Sequence, residues 1–367
     1  MSEARLPDHD PGPPMPPPLY AYVGTRTTRE RHARGEGISV YRVHPATGAL
    51  DRVQRVGDLV NPSFLAMNRA GDRLYTVHGD GSEVSAFTVD RQTGALTFLN
   101  RLDTGGRNLV HLALGTKGGH LVLSSHLTGE VLVLAVEADG RLGAVTHREA
   151  MPGEPGPHRK EQPFAKPHFN PFDPSGRWVI VPDKGLDRVF SFRAGHGRLT
   201  PAAQPWLQVR EGAGPRNLVF HPTQPWAYLV NELDSTVLLC DFDPETGALA
   251  GRQWLTTLPD DFTGNSRAAT IEVDATGRHL YASNRGHDSI AVFDIDPVSG
   301  RLTFAQAVKT GGRTPRFFTL GPDGRWLYAL NEDSDTIVRL GVDAQGRLTP
   351  VGDPLACGSP VCMVFSR

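Results

Sequence analysis

Cysteine is scarce in this chain: Cys240, Cys357 and Cys362 are the only three in 367 residues. An odd number without metal-ligand spacing points away from a disulfide framework or a zinc site. Two of them, Cys240 and Cys362, sit in apolar strand patterns, where a thiol serves as a small buried hydrophobe. An excess of charge of either sign is lacking too. Lys and Arg total 38 against 40 for Asp and Glu, and no long basic run is present, so nucleic acid is not an expected partner. The one local cluster, RTTRERHAR at 26–34, reads as a solvated loop. No segment has the apolar length of a membrane span. The opening MSEARLPDHDPGPPMPPP lacks the apolar centre of a signal peptide and is dense in proline, so residues 1–18 read as a disordered tail and the protein as cytoplasmic. Neither a G-x-S-x-G elbow nor a glycine-rich phosphate loop in a βαβ setting is found, which removes the commonest serine hydrolases and nucleotide-binding folds.

What the chain does have is repetition. A Gly-x-Leu signature after a turn residue ends at Leu50, Leu96, Leu142, Leu199, Leu249, Leu302 and Leu348, at intervals of 46 to 57 residues. That is the spacing of propeller blades. A second signature, a turn followed by a basic or polar residue and an apolar strand, keeps the same frame in AGDRLYTV, SGRWVIVP, TGRHLYAS and DGRWLYAL. Each unit holds four strands, called a to d here: NLVFHP, WAYLVN, TVLLCDFD and the segment after Gly-x-Leu in one copy. The first unit opens at LYAYVGT without a strand a, and SPVCMVFSR at 359–367 supplies the orphan. The expected fold is therefore all-β. It is a seven-bladed β-propeller of four-stranded antiparallel blades, a single domain over 19–367, with its ring closed by the C-terminal strand completing the first blade. A ring closed on itself needs no partner, so a monomer is expected.

Within the repeat one slot changes. After strand b comes Asn or Asp and then Lys184, Glu232, Arg285 or Glu332. In an antiparallel meander the end of strand b and the start of strand a share one rim, at the mouth of the channel, where ligands bind. That rim gathers His168, Lys184, Arg216, Glu232, Arg285 and Arg316. Guanidiniums clamp carboxylate or phosphate and Glu or His moves protons, so the set suits a small anionic, carbonyl-bearing substrate. Asn284 is a further candidate substrate contact, although Asn231, Asn284 and Asn331 are also good turn holders. Glu332, His44, His78 and His279 read as structural. The longest interval between signatures contains MPGEPGPHRKEQPFAKPH, a loop leading into His168 that reads as functional or as a lid, with simple disorder as the alternative.

The stretches VPDKGLDRVFSF, GPRNLVFHPTQPWAYLVNELDSTV, LYASNRGHDSIAVFDID and GGRTPRFFTLGPDGRWLYALNEDSD resemble the seven-bladed propeller lactonases, the 6-phosphogluconolactonase type that also includes fungal carboxymuconate cyclase. The resemblance runs from about Tyr20 onward and implies a catalytic set at His168, Arg216, Glu232 and Arg285; Lys184 and Arg316 are rim cations that the repeat argument alone selects, as candidate substrate contacts. Three features depart from that family's pattern: Lys166-Pro167-His168 in place of His-x-His, Thr270 in place of an acid, and His78 and His126 in early turns that more usually carry Asn-Tyr.

The expected activity is hydrolysis of a sugar-acid lactone, 6-phosphogluconolactone foremost, with no cofactor and no metal. Glu232 with Asn284 would imitate the metal-binding set of an unrelated propeller lactonase, but a basic rim repels cations. Two alternatives stand beside it. One is lactonising cycloisomerisation of a carboxymuconate on the same site, and the other a non-catalytic propeller that binds a protein through its rim.

Overall fold

The computed structural model describes residues 18–366. The expected tail at 1–18 lies outside the described residues but for Pro18, as does Arg367. Between Tyr20 and Phe365 the chain builds seven antiparallel sheets, the blades expected from the repeats. Blade I runs outward from the channel as Pro360–Phe365, Tyr20–Thr25, Ile38–Val43 and Leu50–Val56, so the expected ring closure is present. The Tyr20 amide donates to Ser366 Oγ (2.8 Å) across 346 residues of sequence.

Strand b of each blade reads as a nearly continuous apolar run because neighbouring blades cover both its faces. Trp226–Asn231 is buried throughout, whereas the outer strand Leu142–Ala150 is buried only at Leu142 and then alternates half-buried and exposed residues. The core is accordingly divided. Seven apolar clusters fill the wedges between successive blades, the last joining blade VII to blade I through Tyr328, Leu330, Ala21 and Val23.

The Gly-x-Leu signature has a steric cause. Its glycine has positive φ in each copy, for example 71° at Gly300, and lies flat against a strand-b side chain of the preceding blade. A Cβ at Gly300 would collide with the Trp226 ring. Two residues further along that strand, Tyr228 donates its hydroxyl to Gly300 O (2.9 Å), and Tyr22, Tyr75, Tyr281 and Tyr328 do the same to Gly94, Gly140, Gly346 and Gly48. One glycine per repeat thus docks each blade to the next.

Two blades depart from the four-strand expectation. Blade IV has three full strands, Trp178–Asp183, Arg188–Gly195 and Arg198–Gln208, and its inner strand is reduced to two bridges, Pro167 with Asp183 and Phe172 with Val179. Pro167 and Pro171 lack the N–H groups that a ladder needs. In blade VII the outer strand is split into Leu348–Pro350 and Leu355–Ala356.

Candidate active site

Near the start of strand a, in every blade, the ladder to strand b slips by one residue. A bulge of this kind re-aims a side chain. The extra residues are Val361, Ser63, Val110, Arg216 and Arg316 in blades I to III, V and VII, one of Ala269 and Thr270 in blade VI, and one of residues 168–171 in blade IV, where His168 follows the first bridge. The first five line one concavity at the channel mouth, together with His168 and Thr270, with an empty volume of about 370 Å³ that includes its opening. A second ring follows strand b. The slot noticed in the later repeats continues through the early ones and reads Arg26, Gly79, His126, Lys184, Glu232, Arg285 and Glu332 from blade I to blade VII.

Glu232 is the centre of one side. It is 4% exposed, and its Oε2 lies 3.0 Å from Arg216 Nε and 3.3 Å from Arg285 Nη2. Lys184 Nζ reaches Oε1 at 3.2 Å and Arg267 Nη1 at 3.8 Å. Burial alone would push this carboxyl up, but Arg285, Lys184 and Arg216 overcome it and hold it well below the usual carboxylate range. Both guanidiniums are also tied to backbone: Arg216 Nη1 donates to Ala269 O, and Arg285 Nη2 to Ala268 O (3.0 Å). Four expected residues, Lys184, Arg216, Glu232 and Arg285, therefore form one connected network.

His168 stands beside it. Its backbone N–H donates to Pro182 O (3.0 Å), its ring meets His126 edge-on with centroids 5.5 Å apart, and its buried Nδ1 has no partner among the described residues. Burial first, then the nearby Arg216 and His126, holds it well below 6.5, so the imidazole is neutral at pH 7. His126 is likewise neutral, pushed down to about 3 by burial and Lys184.

Glu161 and Arg267 belong to this network and had no counterpart among the expected residues. Glu161 comes from the long loop before His168 and bonds Lys184 Nζ (3.1 Å) and Arg267 Nη1 (3.0 Å). The reading of that loop as a lid was the one signal pointing to it; Arg267, at the start of its strand a, had none.

The opposite side of the mouth holds a residue that the sequence had assigned to solvent. Residues 29–32 of RTTRERHAR are exposed, but Arg26 is only 3% exposed and lines the concavity, because it continues strand b of blade I and so faces the channel. Its nearest carboxylates are Asp80 at 3.7 Å and Glu332 at 3.9 Å. Arg316 is similarly placed, 3.8 Å from Glu332.

Asn284 does not join the site. It is fully buried, with Oδ1 accepting from Thr257 Oγ1 (2.6 Å) and Nδ2 donating to Thr257 O (2.8 Å), so the turn consumes both ends of its amide. His78 is similarly occupied, by Val60 O and Ser85 Oγ. The three cysteines are buried and unpaired, with burial raising each thiol. Phe64, Phe169 and Phe317 floor the concavity, Phe64 packing against the others at 6.0 and 6.1 Å. Among the described residues no three His, Cys, Asp or Glu side chains cluster as metal ligands, and no helix is long and apolar enough to cross a membrane.

The chain as a whole resembles known proteins. The chain is 34% identical over 349 residues to a 6-phosphogluconolactonase of Bacillus subtilis, covering 94% of this chain and 97% of that one. A 6-phosphogluconolactonase of Formosa agariphila is 28% identical, covering 94% and 99%. Among solved structures, the periplasmic gluconolactonase PpgL of Pseudomonas aeruginosa superposes with a TM-score of 0.88 at 28% identity, over 95% of this chain and 99% of that one. The family model described as lactonase, 7-bladed beta-propeller, matches residues 20–365. The chain belongs to the seven-bladed β-propeller lactonase family.

Proposed function

We propose that this protein hydrolyses a sugar-acid lactone, 6-phosphogluconolactone foremost, without a metal ion. The observation that carries the reading is the pairing of Arg216 and Arg285 on one oxygen of Glu232, with the unpartnered ring of His168 beside them. Water adds to the lactone carbonyl while His168 accepts its proton. Arg216 and Arg285 stabilise the oxyanion of the tetrahedral intermediate, and the proton returns from His168 to the ring oxygen as the C–O bond breaks.

Glu232 and His168 are both held below their ordinary range, so availability decides between them: cations hold both oxygens of Glu232, whereas His168 Nδ1 has no partner among the described residues. The role of Glu232 is to hold two guanidiniums side by side against their mutual repulsion, so that their donors already face the developing charge. A lactone is an activated ester, and positioning with charge stabilisation suffices to open it. The closed ring is read as a monomer, and a phosphorylated substrate would place the enzyme in the cytoplasm.

The test is to generate 6-phosphogluconolactone in situ and follow its disappearance with a chelator present. Acceleration well above spontaneous opening supports the reading. A rate equal to the spontaneous one overturns it, and activity restored only by added divalent cation overturns its metal-free part.

A further inference from the structure

Arg26 presents two buried donors, Nε and Nη1, with no hydrogen-bond partner among the described residues. Unsatisfied buried donors are rare and costly, and each one calls for an explanation. The surroundings leave room for one. Gly79, the slot residue of blade II, has no side chain, and a Cβ there would collide with Arg26 Nη1 and Ser63 Oγ. Ser63, the bulged residue of blade II, brings its hydroxyl to the same wall, and Arg316 adds a second guanidinium from blade VII. The side chain of Arg316 makes no hydrogen bond to any described residue, only the 3.8 Å pairing with Glu332.

Nearby acids do not complete these groups. Asp80 is taken by Arg31, whose Nε donates to Oδ2 at 2.8 Å, and Glu332 lies almost 4 Å from both guanidiniums. Two arginines and a hydroxyl therefore face the concavity with their donors unspent. This donor set matches a tetrahedral, doubly charged oxyanion, which guanidiniums grip through parallel N–H···O bonds. It does not match a sugar hydroxyl, which gains little from two cations.

We infer that Arg26, with Arg316 and Ser63, forms the subsite for the substrate's phosphate group, across the channel mouth from the groups that act on the lactone. The inference rests on the lactonase reading for its consequence in turnover, but not for the anion site itself. It assigns the two sides separate tasks: Arg216, Glu232 and Arg285 meet the carbonyl, and Arg26 meets the far end of the molecule. Selectivity for a phosphorylated over an unphosphorylated lactone then resides in blades VII, I and II.

Two measurements test it on the full chain. Calorimetric titration with inorganic phosphate should show binding to the wild type that weakens by about 10- to 100-fold in Arg26→Met and by less in Arg26→Lys, which keeps the charge and loses the fork. Kinetics with 6-phosphogluconolactone and with glucono-δ-lactone should show the ratio of their kcat/KM values falling by a similar factor in Arg26→Met. Should Arg26→Met fail to fold, Arg26→Lys and Ser63→Ala carry the same comparison with smaller changes. Phosphate binding that is indifferent to Arg26, or an equal loss on both lactones, overturns the subsite. A wild type that opens neither lactone overturns the lactonase reading alone, and the phosphate titration still decides the subsite.

Discussion

The two sides of the channel mouth use the same slots of the same repeat and reach opposite electrostatic outcomes. On the side of blades IV to VI, one buried carboxylate is satisfied by cations at 3.0 to 3.8 Å. On the side of blades VII to II, two guanidiniums face carboxylates no nearer than 3.7 Å and their side chains make no hydrogen bond to any described residue. A closed ion network holds its geometry before any ligand arrives. An open one acquires its geometry from the ligand. The difference teaches that a ring of near-identical units can present two unlike ion arrangements on one mouth by changing the residues at the strand-a bulge and the strand-b slot.

Removing Glu232 breaks the closed side most severely. Glu232→Gln should lower turnover by about a thousand-fold, measured as kcat on the lactone. Stability should fall by about 3–5 kcal/mol in urea titration, since buried cations lose their counter-charge. Because the folded pKa of Glu232 lies below its unfolded value near 4.5, its contribution is present above that pH and is lost as pH falls through the folded value. Wild-type stability should therefore decline on acidification below pH 4.5, more steeply than that of the variant.

His168→Gln should cost about a hundred-fold in turnover with little change in fold. With the imidazole held well below 6.5, the wild-type rate should stay flat from pH 6.5 to 8 and drop only in more acidic solution. A rate that instead rises through pH 6.5 would remove the neutral imidazole from the mechanism.

Smaller effects sharpen the contrast. Glu332→Gln removes the acid that lies within 4 Å of both open-side arginines, and phosphate affinity by titration should rise about five-fold, the water-like value for a unit charge 4 Å away. Glu161→Gln should lower KM for an anionic lactone about two- to three-fold, because Glu161 competes with the substrate for Lys184 and Arg267. A change in stability alone, away from the mouth's ion pairs, is expected at Asp183, raised by burial to about 7. Its stabilising protonated form is complete below about pH 3.8 and lost as pH rises through 7, so Asp183→Asn should flatten stability across that window.

The fold was legible because each signature residue performs one packing task in copy after copy, as the glycines under Trp226 and Trp178 do. Part of the site was legible for the same reason: a Glu or an Arg stands out in a slot whose frame is visible on both sides. Arg26 was hidden although the strand before it was recognised. Thr25 stands where the later repeats carry Asn or Asp ahead of the slot, and without that marker the segment resembles any charged loop. Glu161 depends on how a long loop folds back, which no short-range pattern encodes. Asn284 shows the converse limit, since a turn-holding amide and a ligand-binding one look alike until their partners are seen.

The seam in blade I also sets a schedule. During synthesis Tyr20–Thr25 emerges first and waits without its inner neighbour until Pro360–Phe365 appears. The backbone N–H of Arg26 is then fixed by Ser359 O at 3.0 Å. The open half of the mouth is thus the last part of the molecule to be assembled, although its arginine is among the first residues made. A chain that stopped before Ser359 would lack both the inner strand of blade I and the carbonyl that holds the Arg26 backbone, so the anion pocket inferred above depends on closure of the ring.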